Sequence, residues 1–213
     1  MAGPPLDAIE REQLCDLFLE LGPEAPTMCD GWTTIDLAAH LVMREHDPRS
    51  GLAILGSSDR FAKLEERLLE KGRSRGYENL VARLRKGPPL VPWRVPGLRT
   101  PLNLNEWFVH HEDVRRADDR DPRSDVPELE AALWKLMGSS ARLMVRGLKD
   151  AGLALVAPDH GTREVRKRSP MVTLTGTPQE LVLYLNGRRG VAQVELSGDA
   201  SAVKALATAK LGV

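Results

Sequence analysis

A chain of 213 residues suits one large domain or two small ones and can bury a substantial core. Its 30 Lys and Arg are matched by 30 Asp and Glu, so no excess of positive charge exists to drive binding to a nucleic-acid backbone or an anionic membrane. Two cysteines with neither C-x-x-C nor zinc-finger spacing, a start (MAGPPLDAIERE) without the basic-then-apolar layout of a signal peptide, and no apolar run of membrane-spanning length together lead one to expect a reduced, cytoplasmic protein.

In chain order, Leu6 to Leu21 sets Leu6, Ile9, Leu14, Leu17, Phe18 and Leu21 on one helical stripe and stops at Gly22-Pro23, as a first bundle helix would. Cys15 in this helix and Cys29 in the turn that follows read as small buried hydrophobes rather than nucleophiles. A second helix starts at Thr33 or Thr34 as N-cap, with Asp36 in its first turn favouring the helix dipole. Leu37, Leu41, Ala38 and Ala39 are its packing residues, and His40 lies among them. A single His on an apolar face is commonly a core residue bonded to a backbone carbonyl. This one is mid-helix and inward, where small neighbours permit close packing, so a ligand role stands beside the structural one.

Helix signals continue over Asp59 to Lys71 and Tyr77 to Lys86, separated by Gly72 and Gly76. The five prolines of Gly87 to Pro101 argue against regular helix. That segment is either a stiff connector or a wall over a site, with Trp93 as an apolar surface and Arg94 or Arg99 reaching for an anion. Asn103 to Asp118 (NLNEWFVHHEDVRRAD) has no internal Gly or Pro and alternates Leu104, Trp107, Phe108, Val109 and Val114 with charges at helical spacing. On that helix Glu106 and His110 stand one turn apart on one face, as two metal ligands from a single helix must. Asp113 continues the face, whereas His111 points about 100° away. Alone, an E-x-x-x-H pair is weak evidence, since amphipathic helices produce solvated Glu/His pairs by chance, and it needs a third ligand from elsewhere.

After a polar linker over Asp118 to Pro127, Glu128 to Lys149 reads as another amphipathic helix ended by Asp150-Ala151-Gly152. Beyond it, LALVA, TREVRKR, MVTLTG and VAQVELSG are strand-like runs interleaved with two helices, PQELVLYLNG and ASAVKALATAKLG. The expected class is α+β: a helical bundle over residues 1–150 and a small α+β domain over 151–213.

With His40, Glu106 and His110 identified, three blocks carry a resemblance: APTMCDGWTTIDLAAHLVMRE, NEWFVHHEDVRRA, and VTLTGTPQELVLYLNGR with VELSGDASAV. Together they make the chain resemble the mycothiol-dependent maleylpyruvate isomerase family, an actinobacterial branch of the DinB-like metal-binding four-helix bundles. The last block resembles that family's C-terminal domain, related to sterol-carrier-protein folds. The resemblance implies an up-down four-helix bundle in which His40, Glu106 and His110 hold a divalent metal, zinc or another. It also implies an Arg from the C-terminal domain, for which Arg188 is the candidate and Arg189 its near rival.

Two imidazoles and one carboxylate leave an ion an open position, as in catalytic zinc sites. The implied chemistry is activation of a thiol that adds to a small electrophile, either leaving again (isomerase) or staying on the product (S-transferase). Mycothiol is the implied thiol, rather than Cys15 or Cys29. Arg188 or Arg44 is a candidate for holding a substrate carboxylate, a surface ion pair being Arg44's alternative use. Asp113 and Asp36 are candidates for fixing a His tautomer, with capping or a salt bridge as the alternative for each. The competing reading is a non-catalytic metal-binding module whose C-terminal domain binds an apolar ligand or a protein partner; metallohydrolysis is weaker, because no H-E-x-x-H base is present. The expected partners are small molecules, without nucleic acid or membrane, and the expected state is a monomer or homodimer.

Overall fold

The computed structural model describes residues 3–47, 59–88 and 96–212, and their side chains except those of 59–62, 64, 65 and 96–102. The chain divides into two compact units, Met1–Pro122 and Arg123–Val213.

The first unit is helical: α1 (Leu6–Leu21), α2 (Thr34–His46), α3 (Asp59–Arg73), α4 (Tyr77–Lys86) and α5 (Pro96–Ala117). Gly22, in the left-handed region at φ 80°, ends α1 with its N–H on the Phe18 carbonyl. Asp36 caps the start of α2, its carboxylate accepting from the Thr33 N–H at 2.9 Å and hydroxyl at 3.2 Å. That use, together with an ion pair to Arg73, gives Asp36 a structural role rather than a place beside a His. Helix α4 packs on α1 and α2, α3 on α2, and α5 on α1. Leu14, Phe18, Leu37, Leu41, Leu80, Leu84 and Trp107 fill the core between them.

Two expectations need correction here. The helix carrying Glu106 begins at Pro96, well before Asn103. Pro96 occupies the first helical position, where no N–H bond is lost, and Pro101 removes one bond only, so the prolines do not exclude helix across that stretch. Trp93, Arg94 and most of the segment read as a connector or wall lie outside the described residues, as does the Arg99 side chain. On α1, the apolar stripe gives way at its N-terminal end to buried Asp7, Glu10 and Arg11. Glu10 and Arg11 are tolerated there because they are paired: Glu10 accepts from His111 Nδ1 at 2.9 Å, and Arg11 pairs with Glu45 and lies 4.7 Å over the Trp107 ring.

The second unit contains α6 (Pro127–Met144), β1 (Gly152–Ala157), β2 (Gly161–Arg166), β3 (Met171–Thr175), α7 (Pro178–Leu185), β4 (Glu195–Gly198) and α8 (Ala200–Thr208). Its sheet runs β2-β1-β3-β4, with β1 antiparallel to β2, parallel to β3, and β3 antiparallel to β4. The α+β class is as expected. Helix α6, however, belongs with the sheet and not with the bundle: it packs on α7 and β2, with Gln179 donating to Glu130 at 3.0 Å and Arg163 lying 4.6 Å over the Trp134 ring. The unit boundary therefore falls at Pro122/Arg123 rather than after residue 150.

Candidate metal centre

Helices α2 and α5 bring His40, Glu106 and His110 together. His40 Nε2 lies 3.4 Å and His110 Nε2 3.2 Å from Glu106 Oε1, and one donor atom from each of the three residues falls within 4.8 Å of the others. Both imidazoles are buried and the Glu106 side chain is partly exposed, so the cluster is lined largely by protein. His111 faces elsewhere, held by Glu10, as the helical period requires.

Two neighbours orient the imidazoles. Asp113, whose side chain is 0% exposed, accepts from His110 Nδ1 at 2.8 Å, which places the proton on Nδ1 and aims Nε2 at Glu106. Trp32 covers His40, their ring centroids 5.2 Å apart. The turn between α1 and α2 joins these contacts: the Met28 N–H donates to the Asp113 carbonyl at 3.0 Å, Cys29 Sγ–H to Asp113 Oδ2 at 3.3 Å, and Thr27 Oγ1 to the Trp32 carbonyl at 2.9 Å.

The charge state follows from this packing. Burial opposes ionisation of Glu106, but hydrogen bonds from His110 and His40 and the charges of His110 and Arg44 hold its carboxyl well below the ordinary carboxylate range. Burial likewise opposes protonation of His110, yet Asp113, Cys29 and Glu106 raise its pKa well above that of a free imidazole. Without a cation between them the residues thus store an imidazolium against a carboxylate, and a divalent ion would displace that proton.

Arg44, one turn beyond His40, is drawn into the cluster: its Nε is 3.3 Å from Glu106 Oε1 and its Nη1 donates to Asn103 Oδ1 at 3.5 Å. The surface ion pair considered from sequence is therefore an ion pair at the site. Arg188 lies in the second unit, where its Nη1 donates to the Asn186 carbonyl at 2.8 Å. Arg189, its near rival, is committed to the end of α8 through the carbonyls of Leu206 and Ala209.

Cys15 is fully buried, and burial pushes its thiol up to about 12, as a core residue and not a nucleophile. Cys29 departs from that expectation: it is half-buried and shares the Asp113 carboxylate with His110, so that Cys29, His110 and Asp113 form a second close group of potential ligand atoms. No spacing in the sequence marks it, because its turn meets α5 only in the folded chain. Trp32 was missed for the same reason.

The fold as a whole has solved relatives in shape. The chain resembles the crystal structure of the mycothiol-dependent maleylpyruvate isomerase, with a TM-score of 0.59 and 16% identity over 92% of each chain. It resembles a histidine-to-alanine variant of that isomerase with a TM-score of 0.60 and 17% identity, again over 92% of each. No family model matches the chain, and no curated protein matches it in sequence. At this identity the likeness is one of fold.

Proposed function

We propose that the protein is a divalent-metal-dependent isomerase or S-transferase that uses mycothiol on small electrophiles of the maleylpyruvate type, with His40, Glu106 and His110 as ligands and zinc as the expected ion. The observation that carries this reading is the spacing of the three donors. Ligands about 2.0–2.2 Å from a tetrahedral zinc stand roughly 3.4 Å from one another. Glu106 Oε1 is 3.4 Å from His40 Nε2 and 3.2 Å from His110 Nε2, and all three donors lie within 4.8 Å of one another, which supports an ion held between α2 and α5.

Bound there, a divalent ion supplies a Lewis acid that favours the thiolate over the thiol. The chain's own residues do the rest. Asp113 keeps the proton on His110 Nδ1, Trp32 shields His40 from water, and the Arg44 guanidinium beside Glu106 offers paired hydrogen bonds to a substrate carboxylate. Arg188 is proposed for the same task on the sequence resemblance alone. The thiolate carbon–sulfur bond forms at a cis double bond conjugated to a carbonyl. The π electron pair passes to the carbonyl oxygen as an enolate. Rotation about the resulting single bond and collapse of the enolate with loss of the thiolate give the trans isomer, whereas return of the thiol's proton to the enolate carbon leaves the thioether as the transferase product. The proposed setting is the cytoplasm, with small-molecule partners.

Two measurements test the proposal. Metal analysis of the purified protein beside a His40→Ala variant should find about one zinc in the first and a large loss in the second; equal content refutes the ligand set. Incubating metal-loaded protein with mycothiol and a panel of electrophiles should consume thiol faster than buffer. A rate equal to buffer across the panel would instead support the non-catalytic metal-binding module.

A further inference from the structure

On the side of α2 away from His40, the first unit carries a second concave site. Ala39, Val42 and Met43 of α2, with Leu68 of α3, floor a chamber of about 70 Å³ whose polar wall holds His46, Asp47, Lys71, Arg75 and Arg83. Arg75 and Arg83 also border a groove of about 460 Å³, completed by Asn79, Ala82 and Lys86, so these two residues line both chamber and groove.

Lys71, Arg75, Arg83 and Lys86 bring four positive charges to this place, and among the described residues none of them pairs with a carboxylate. Their neighbours behave differently: Arg73 pairs with Asp36, and Arg85 with Glu12 and Asp16. Part of the charge answers the carboxyl ends of α2, α3 and α4, each worth about half a negative charge. Counting those ends and Asp47, an excess of about one and a half positive charges remains. Arg83 Nε is moreover buried without a hydrogen-bond partner, a donor that a ligand could satisfy. His46 registers the same field, its pKa lowered by burial and by Arg83.

We propose that this groove binds a compact, multiply charged oxyanion of the phosphate class, with the anion seated between Arg75 and Arg83. The half-open chamber of about 70 Å³ suits a small tetrahedral group, and the outer groove leaves room for the organic part of a phosphate monoester. A nucleic-acid backbone would need an extended basic stripe, which a chain of zero formal net charge does not supply. The proposal is independent of the metal-centre chemistry, from which it is separated by α2.

The test is calorimetry and thermal unfolding of the full metal-loaded chain, with inorganic phosphate replacing chloride at constant ionic strength. Saturable binding and a rise in Tm are expected. Arg75→Gln and Arg83→Gln should each weaken affinity about ten- to a hundredfold, as loss of a charge-assisted hydrogen bond does. Lys86→Gln at the exposed rim gives a smaller loss and guards against misfolding of the other two, while Lys167→Gln in the second unit leaves affinity unchanged. Tighter binding of phenyl phosphate than of phosphate assigns a monoester ligand, and equal binding assigns the free ion. A non-saturable response, the same response to acetate, or unaltered affinity in all three groove variants overturns the proposal.

Discussion

Replacing Asp113 by Asn tests the proposal that the fold readies His110 for a metal. The carboxylate is wholly buried, 2.8 Å from His110 Nδ1, and a carboxamide of the same shape can still accept that N–H. What disappears is the negative charge that makes the imidazole a stronger donor to an ion, together with part of the hold on the Cys29 thiol 3.3 Å away. Outer partners of this kind are worth about 10–100-fold in metal affinity, or about 1.4–2.8 kcal/mol. Zinc competition against a chromophoric chelator, starting from metal-free protein, would measure the loss. Glu112→Gln is the control, since Glu112 is equally buried but pairs with Arg115 and Arg116 rather than with a ligand. A zinc affinity for Asp113→Asn within twofold of wild type, or an equal drop in Glu112→Gln, would refute the orienting role.

The metal-free protein should lose stability as pH rises. The folded-state pKa of His110 lies well above its unfolded value near 6.5, so its contribution is complete below that pH and vanishes as pH climbs through the raised value. Urea unfolding of apo wild type against apo His110→Gln should show the difference shrinking across that window, and a constant difference would contradict the assignment. Alkylation followed by intact mass should leave Cys15 unmodified in the native chain: a thiol pushed from 9.0 to about 12 has roughly a thousandth of the ordinary thiolate fraction at pH 8. Labelling of Cys15 without unfolding would show the core to be open. In the second unit Gly152→Ala should cost about 1–3 kcal/mol or more, because the new methyl meets the Arg168 carbonyl oxygen at 2.1 Å. An unchanged urea midpoint would refute that contact.

Much of this was legible before any coordinates, for definite physical reasons. A period of 3.6 puts Glu106 and His110 on one face and turns His111 off it, and the coordinates keep both statements. Capping chemistry located the start of α2, and turn residues separated the strands of the sheet. Periodicity tells which face of a helix is buried but not what covers it, and so α6 was assigned to the wrong unit. The same blindness hid the N-terminal half of α1, where buried Glu10 and Arg11 look in sequence like a solvated edge. Their partners, His111 and Glu45, lie on α5 and α2.

The turn of residues 27–32 bears on the proposed ligand triad without belonging to it. Its backbone and side chains meet α5 at Asp113, which aims His110, and its Trp32 lies against His40. One short segment thereby steadies the imidazoles contributed by two different helices, although it supplies none of the three donors itself. Precision of that kind matters because displacement of about 1 Å in a reacting group is costly to the chemistry it serves. Loosening the turn should therefore weaken the hold on both imidazoles together, whereas truncating either ligand removes one. The determinant of the cluster's geometry is thus expected in the chain between α1 and α2, next to the helices that bear His40, Glu106 and His110.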